Sequence, residues 1–228
     1  MPIMKYLRFN QSGFTLVEMA MVLLIIALLL GGLVPILSGQ IEQRRITETK
    51  KQMDEIKEAL AGYAIIYGYL PCPTTTTDPS NSNYGVADAT CTSAPTAEGY
   101  LPWKTLGVPE MDAWGSFRAS ASDSWIGHWR YRVDRNFSSS STPFTLSTSF
   151  ADSLVIQDSS GNTLTTTTER PVAIVYSTGP NVTADGANTT FDSTYQSNVP
   201  NPSFDDIMIW ISRPQLFNRM VTAGKLPF

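Results

Sequence analysis

Glu18 is the only charged side chain between Phe14 and Leu37. A carboxylate inside an apolar run of that length costs about 2.5–3.5 kcal/mol on insertion scales, so it marks a site whose partner has to be named. No Lys or Arg lies within reach on the same helix, and a cationic partner must therefore come from elsewhere. Cys72 and Cys91 are the only cysteines. In an oxidising compartment so close a pair forms a disulfide, and closing a loop of that size stabilises by roughly 3 kcal/mol in the chain-entropy model. A third group, Asp185, Asn188, Asp205 and Asp206, lies in oxygen-rich loops with Ser177 to Asn181. Calcium takes about six to eight oxygens, and these residues are its candidate ligands; a solvated loop closed by Asx turns is the reading they favour.

Catalytic chemistry finds little to use. His128 is the one histidine, and no nucleophile, base and orienting group can be named together. A zinc site built from several His and Cys is unavailable. The chain therefore reads as a non-enzyme. Charged residues are only 16% of the 228, against about a quarter in typical domains, and the net charge is −4. Bulk charge offers no grip on nucleic acid or an anionic surface. Arg130, Arg132 and Arg135 alternate on one candidate strand and form either a basic stripe or a solvated strand face, with Asp123 and Asp134 nearby.

These residues need elements to hold them. As a helix, residues 14–37 would span roughly 36 Å at 1.5 Å per residue, enough for a hydrocarbon core of about 30 Å. The run is too long for a conventional signal peptide and continues into a charged helix. Lys5 and Arg8 before it keep the N-terminus cytoplasmic and send the following domain across, a bias that Arg44 and Arg45 weaken. Gly31, Gly32 and Pro35 are where the helix kinks. Beyond the span, Met53, Ile56, Leu60, Tyr63 and Tyr67 follow 3-4-3-4 spacing, one apolar helical face, until Gly68 and Pro71 stop it. The rest carries β-rich runs at Trp129–Asp134, Pro143–Phe150, Ser153–Gln157, Pro171–Ser177 and Asp206–Ser212, with a closing helix over Arg213–Ala223. The fold expected is α+β: a long N-terminal helix packed on a C-terminal antiparallel sheet. Residues 14–38 form its apolar half, 39–68 its amphipathic continuation, and 69–228 the β-rich domain.

Gly13-Phe14-Thr15-Leu16-Val17-Glu18, after a short basic leader and before an apolar run, resembles the prepilin peptidase signature of type IV pilins and type II secretion pseudopilins. The resemblance covers about the first 40 residues. It implies removal of the leader 1–13 by a prepilin peptidase and N-methylation of Phe14. It further implies that Glu18 pairs with the Phe14 amine of a neighbouring subunit, setting register in a filament core. Implied partners are other pilin-like subunits and an inner-membrane assembly platform. The subunit would cross the inner membrane once, with its C-terminal domain periplasmic, before joining a periplasmic pseudopilus or a surface pilus. The turn Asp112-Ala113-Trp114-Gly115, then Trp129, is similar to a turn of major pseudopilins, and the Asp185–Asp206 region to their calcium loop. It departs from that loop in its long insert between Asn188 and Asp205. A minor pilin serving as a receptor for DNA uptake or adhesion is the alternative.

Overall fold

The computed structural model describes residues 13–94 and 97–225, without the side chains of 30–38. Residues 1–12 of the leader 1–13 lie outside what is described, as do the side chains at the kink positions Gly31, Gly32 and Pro35. Helix α1 runs Leu16–Tyr67. The chain divides into two compact units, residues 1–44 and 45–228. In the first, side chains from Phe14 to Leu29 are exposed, Phe14 at 82% and Leu16 at 87%. Among the described residues no helix is long and apolar enough to cross a membrane.

The second unit is an α+β domain. Strands β1 (Glu98–Tyr100), β2 (Arg130–Val133), β4 (Pro171–Ser177) and β6 (Ile207–Ser212) form an antiparallel sheet in the order β1-β2-β4-β6. Strands β3 (Val155–Gln157) and β5 (Thr194–Gln196) pair in parallel as a second, two-stranded sheet. After a register irregularity between Pro171 and Ala173, side chains alternate along β4 from Ala173 on, as the pleat requires. Val172, Ala173 and Val175 join a core with Met53, Ile56, Leu60 and Ala64 of α1, while Ile174 and Tyr176 join a smaller core with Leu154, Ile156 and Tyr195. Buried on both faces, β4 reads in sequence as one apolar run.

The 3-4-3-4 face of α1 holds through Leu60 and then turns. Ala64 is fully buried while Tyr67 is 53% exposed, tilted instead against Tyr63 and Tyr69 in an aromatic cluster. Gly68, at φ +78°, ends the helix with its amide on Ala64 O. Helix α2 (Trp103–Leu106) follows β1, and α3 (Arg213–Thr222) closes the chain. Helix α3 starts with a capping box between Ser212 and Gln215, buries Leu216 and Met220, and ties Arg219 to Glu58 of α1.

One expected strand is absent. Pro143–Phe150 forms turns, because hydroxyls there compete for the backbone: the Thr145 amide donates to Thr148 Oγ1 and the Ser147 amide to Thr145 Oγ1. Its apolar residues still serve the core, with Phe144 buried and Phe137 5.2 Å away.

Candidate functional site

The N-terminal site is built on a helix start. Thr15 precedes α1 and Glu18 sits in its first turn. The Glu18 Oε2 accepts from the Thr15 amide at 2.9 Å and from its hydroxyl at 2.8 Å, and the Glu18 amide donates back to Thr15 Oγ1 at 3.2 Å. This is a reciprocal capping box, which satisfies orphan amides at the helix start. Gly13 and Phe14 stand just ahead, both exposed. Charge alone does not point to this neutral partner of Glu18, although Thr-x-x-Glu before an apolar run is the signal for it.

Cys72 and Cys91 are joined in a disulfide, and both are buried. The loop they close holds Tyr84, which packs edge-on against Trp103. His128 is buried beneath it. Its Nε2 lies 3.1 Å from Glu110 Oε1, which also accepts from the Tyr84 hydroxyl at 2.8 Å. Burial holds the His128 pKa below its ordinary value.

The Asp112–Gly115 turn is anchored to β4. Asp112 Oδ1 accepts from the Trp114 amide at 2.9 Å, closing an Asx turn, and Oδ2 accepts from the Ser177 hydroxyl at 2.5 Å. Gly127, at φ +66°, lets a second loop cross: a Cβ there would collide with Asp112 Oδ1. Trp114 is half-buried, and the fully buried tryptophan of this region is Trp129.

The acidic loops do converge. Asp185, Asp205 and Asp206 each place a carboxylate oxygen within 4.8 Å of the others. Gly179 permits the approach, since a Cβ there would meet Asp205 Oδ1 at 2.5 Å. Asp206 is 2% exposed; its Oδ2 accepts from the Asp185 amide and Asn188 Nδ2, while its buried Oδ1 has no hydrogen-bond partner among the described residues. Burial, with Asp185 and Asp205 adding repulsion, pushes the Asp206 pKa up to about 7. Three hard oxygens and one orphan fit a divalent cation such as calcium. Asn188 stands outside this set, because its Oδ1 is taken by the Gln196 amide at 2.8 Å. It pins Asp206 instead of offering an oxygen.

The alternating arginines are neither a basic stripe nor a solvated face. Arg132 is 2% exposed, donates to Ala94 O and lies 3.4 Å from Asp152, which also binds Arg135 Nε at 2.8 Å. Arg130 faces the buried Glu98. The sequence-adjacent acids Asp123 and Asp134 are not the partners; the distant Asp152 and Glu98 are.

No curated protein and no solved structure matches the chain. The match found covers the segment that holds Gly13, Phe14, Thr15 and Glu18. Residues 8–34 carry the prokaryotic N-terminal methylation motif, the prepilin-type motif of type IV pilins and pseudopilins.

Proposed function

We propose that this chain is a structural subunit, not an enzyme, which is cut after Gly13, methylated on Phe14 and polymerised into a pilus-like or pseudopilus filament. The methylation motif at residues 8–34 carries the reading. In it the exposed apolar residues 14–29 of the first unit anchor the subunit in the inner membrane and later form the filament core. The domain 45–228 then stands in the periplasm or on the filament surface. The Thr15–Glu18 capping box bears on the waiting subunit. A lone carboxylate in low dielectric is costly, and the Thr15 donors keep Glu18 from being alone before a neighbour's Phe14 amine arrives. Assembly then adds a charge partner to a carboxylate already held at the helix start. If the Asp185–Asp206 loops take up calcium, those three aspartates would hold it, and the ion would supply charge neutralisation that locks the loops.

Cells expressing the tagged protein at native level, sheared with prepilin peptidase present and absent, test this. Peptidase-dependent protein in the sheared fraction assigns a surface pilus. Processed protein confined to the envelope assigns a pseudopilus or a minor subunit. Failure to process the chain at Gly13 when the peptidase is present overturns the proposal.

A further inference from the structure

A cleft of about 600 Å³ opens on the face of the sheet turned away from α1, lined by Tyr100, Trp125, Arg130, Tyr176, Thr178 and Phe191 among others. The register places Tyr100, Arg130 and Tyr176 side by side on β1, β2 and β4. A ladder of rings and guanidinium groups runs along it. The Arg118 guanidinium lies 3.8 Å over Trp125, and Trp125 stacks on Tyr100 at 3.7 Å and 12°. Arg130 then lies 4.9 Å from the Tyr100 centroid and 5.1 Å from that of Phe191. The two cations differ in what remains to them. Arg118 spends its donors on three carbonyls, those of Thr77, Ala121 and Asp123. Arg130 has one ion-pair partner among the described residues, Glu98, at 3.6 Å, longer than a hydrogen bond, and its other polar neighbours are the neutral hydroxyls of Tyr176 and Tyr100, which also line the cleft; Glu98 Oε1 itself finds no hydrogen-bond partner among the described residues.

We infer that this cleft binds a saccharide bearing a carboxylate, with Arg130 as the anion receptor. A guanidinium flanked by aromatic rings keeps its edge for in-plane, bidentate capture of a carboxylate. Among the described residues no acid lines the cleft, and its other polar lining is neutral: Ser124, Thr178, Thr183, Thr189 and Asn188, with His128 kept neutral by burial. Hydroxyls and amides of this kind suit sugar hydroxyls, and Phe191, 68% exposed, offers a ring for the apolar face of a pyranose. A single receptor cation on a chain of net charge −4 disfavours a polyphosphate or nucleic acid, whose binding rests on many cations at once. The inference does not rest on filament assembly.

Calorimetric titration of the full chain in detergent with trigalacturonate, and separately with the neutral galactotriose, tests it. The acidic trisaccharide is expected to bind with a Kd near or below about 1 mM, at least about tenfold tighter than the neutral one. Arg130→Gln and Phe191→Ala should each weaken it by about tenfold or more. Phe191 is exposed, so its variant keeps the fold even where loss of Arg130 beside Glu98 disturbs it. Absence of binding at about 10 mM overturns the inference, as does equal affinity for the two sugars or an unaltered Kd in Phe191→Ala. Equally tight binding of inorganic phosphate would show a general anion site and also overturn it.

Discussion

Thr15 and Glu18 cap one another at the start of α1, with Glu18 Oε2 2.8 Å from the Thr15 hydroxyl and 2.9 Å from its amide. The carboxylate is therefore satisfied within its own subunit. Glu18→Ala should leave membrane insertion intact, since it removes a charge from an apolar run, but should block incorporation into the filament. Thr15→Ala should cost about 1 kcal/mol of helix-start stability and lower incorporation without abolishing it. Fractionation of membranes beside blotting of sheared filaments separates the two effects. Normal incorporation of the Glu18→Ala subunit would refute the register role.

The Cys72–Cys91 bridge joins chain segments that regular secondary structure does not hold: the residues between them form no helix and no strand, and Asx turns at Asp78 and Asn81 carry the path. Replacing both cysteines with Ala should lower stability by about 3 kcal/mol, read as a shift in the urea midpoint of the full chain in detergent. An unchanged midpoint would mean that the Tyr84–Trp103 packing alone orders this segment.

Long elements were legible because their periodicity repeats. The end of α1 at Tyr67, the runs that became β2, β4 and β6, and the closing helix α3 all stood out. Strands β1 and β5 did not, because three residues cannot display a period, and β5 is set by its parallel partner β3, far away in sequence. The Pro143–Phe150 run alternated like a strand, but its hydroxyls closed local turns instead. At the candidate sites the Asp185–Asp206 convergence followed from composition, whereas Asp112 on Ser177 and Asp152 on Arg132 join residues whose proximity only the sheet register creates.

Asp152 is the counter-charge for two arginines, with a side chain only 3% exposed. Asp152→Ala leaves Arg132 buried without its carboxylate, and should destabilise the domain by about 3–5 kcal/mol. Arg135→Ala should cost clearly less, because that side chain is 32% exposed and Asp152 keeps Arg132. Thermal melts of the two variants decide it. Equal losses would place the energy in the Arg135 bonds rather than in the buried pair.

The Asp185, Asp205 and Asp206 carboxylates repel one another unless a cation joins them. Millimolar EDTA should therefore lower the melting temperature of the full chain, and added calcium should restore it. A ligand at about 100 times its Kd contributes about 2.7 kcal/mol. Asp206→Asn should abolish the EDTA response. A melting temperature unmoved by EDTA would return these loops to plain Asx turns, with Asn188 and the Asp185 amide as the partners of Asp206 among the described residues.

The bond from Ser177 to Asp112 also predicts a pH dependence. Burial raises the Asp112 pKa above its ordinary value, and the Ser177 hydroxyl and Trp114 amide oppose that shift without cancelling it. Burial raises Glu98 and Asp134 in the same direction. A carboxyl whose folded pKa exceeds its unfolded value is favoured by the fold in its protonated form. Its stabilising contribution is complete below the unfolded pKa, near about 3.9 for Asp, and is lost as pH rises through the folded value. Asp112→Asn keeps the acceptor for the Trp114 amide and removes the ionisation. Scanned against the parent from pH 4 to pH 8, its melting temperature should therefore rise as pH climbs through the folded Asp112 pKa. A constant difference across that range would show that Asp112 titrates alike in the folded and unfolded chain, and that the Ser177 contact offsets the whole cost of its burial.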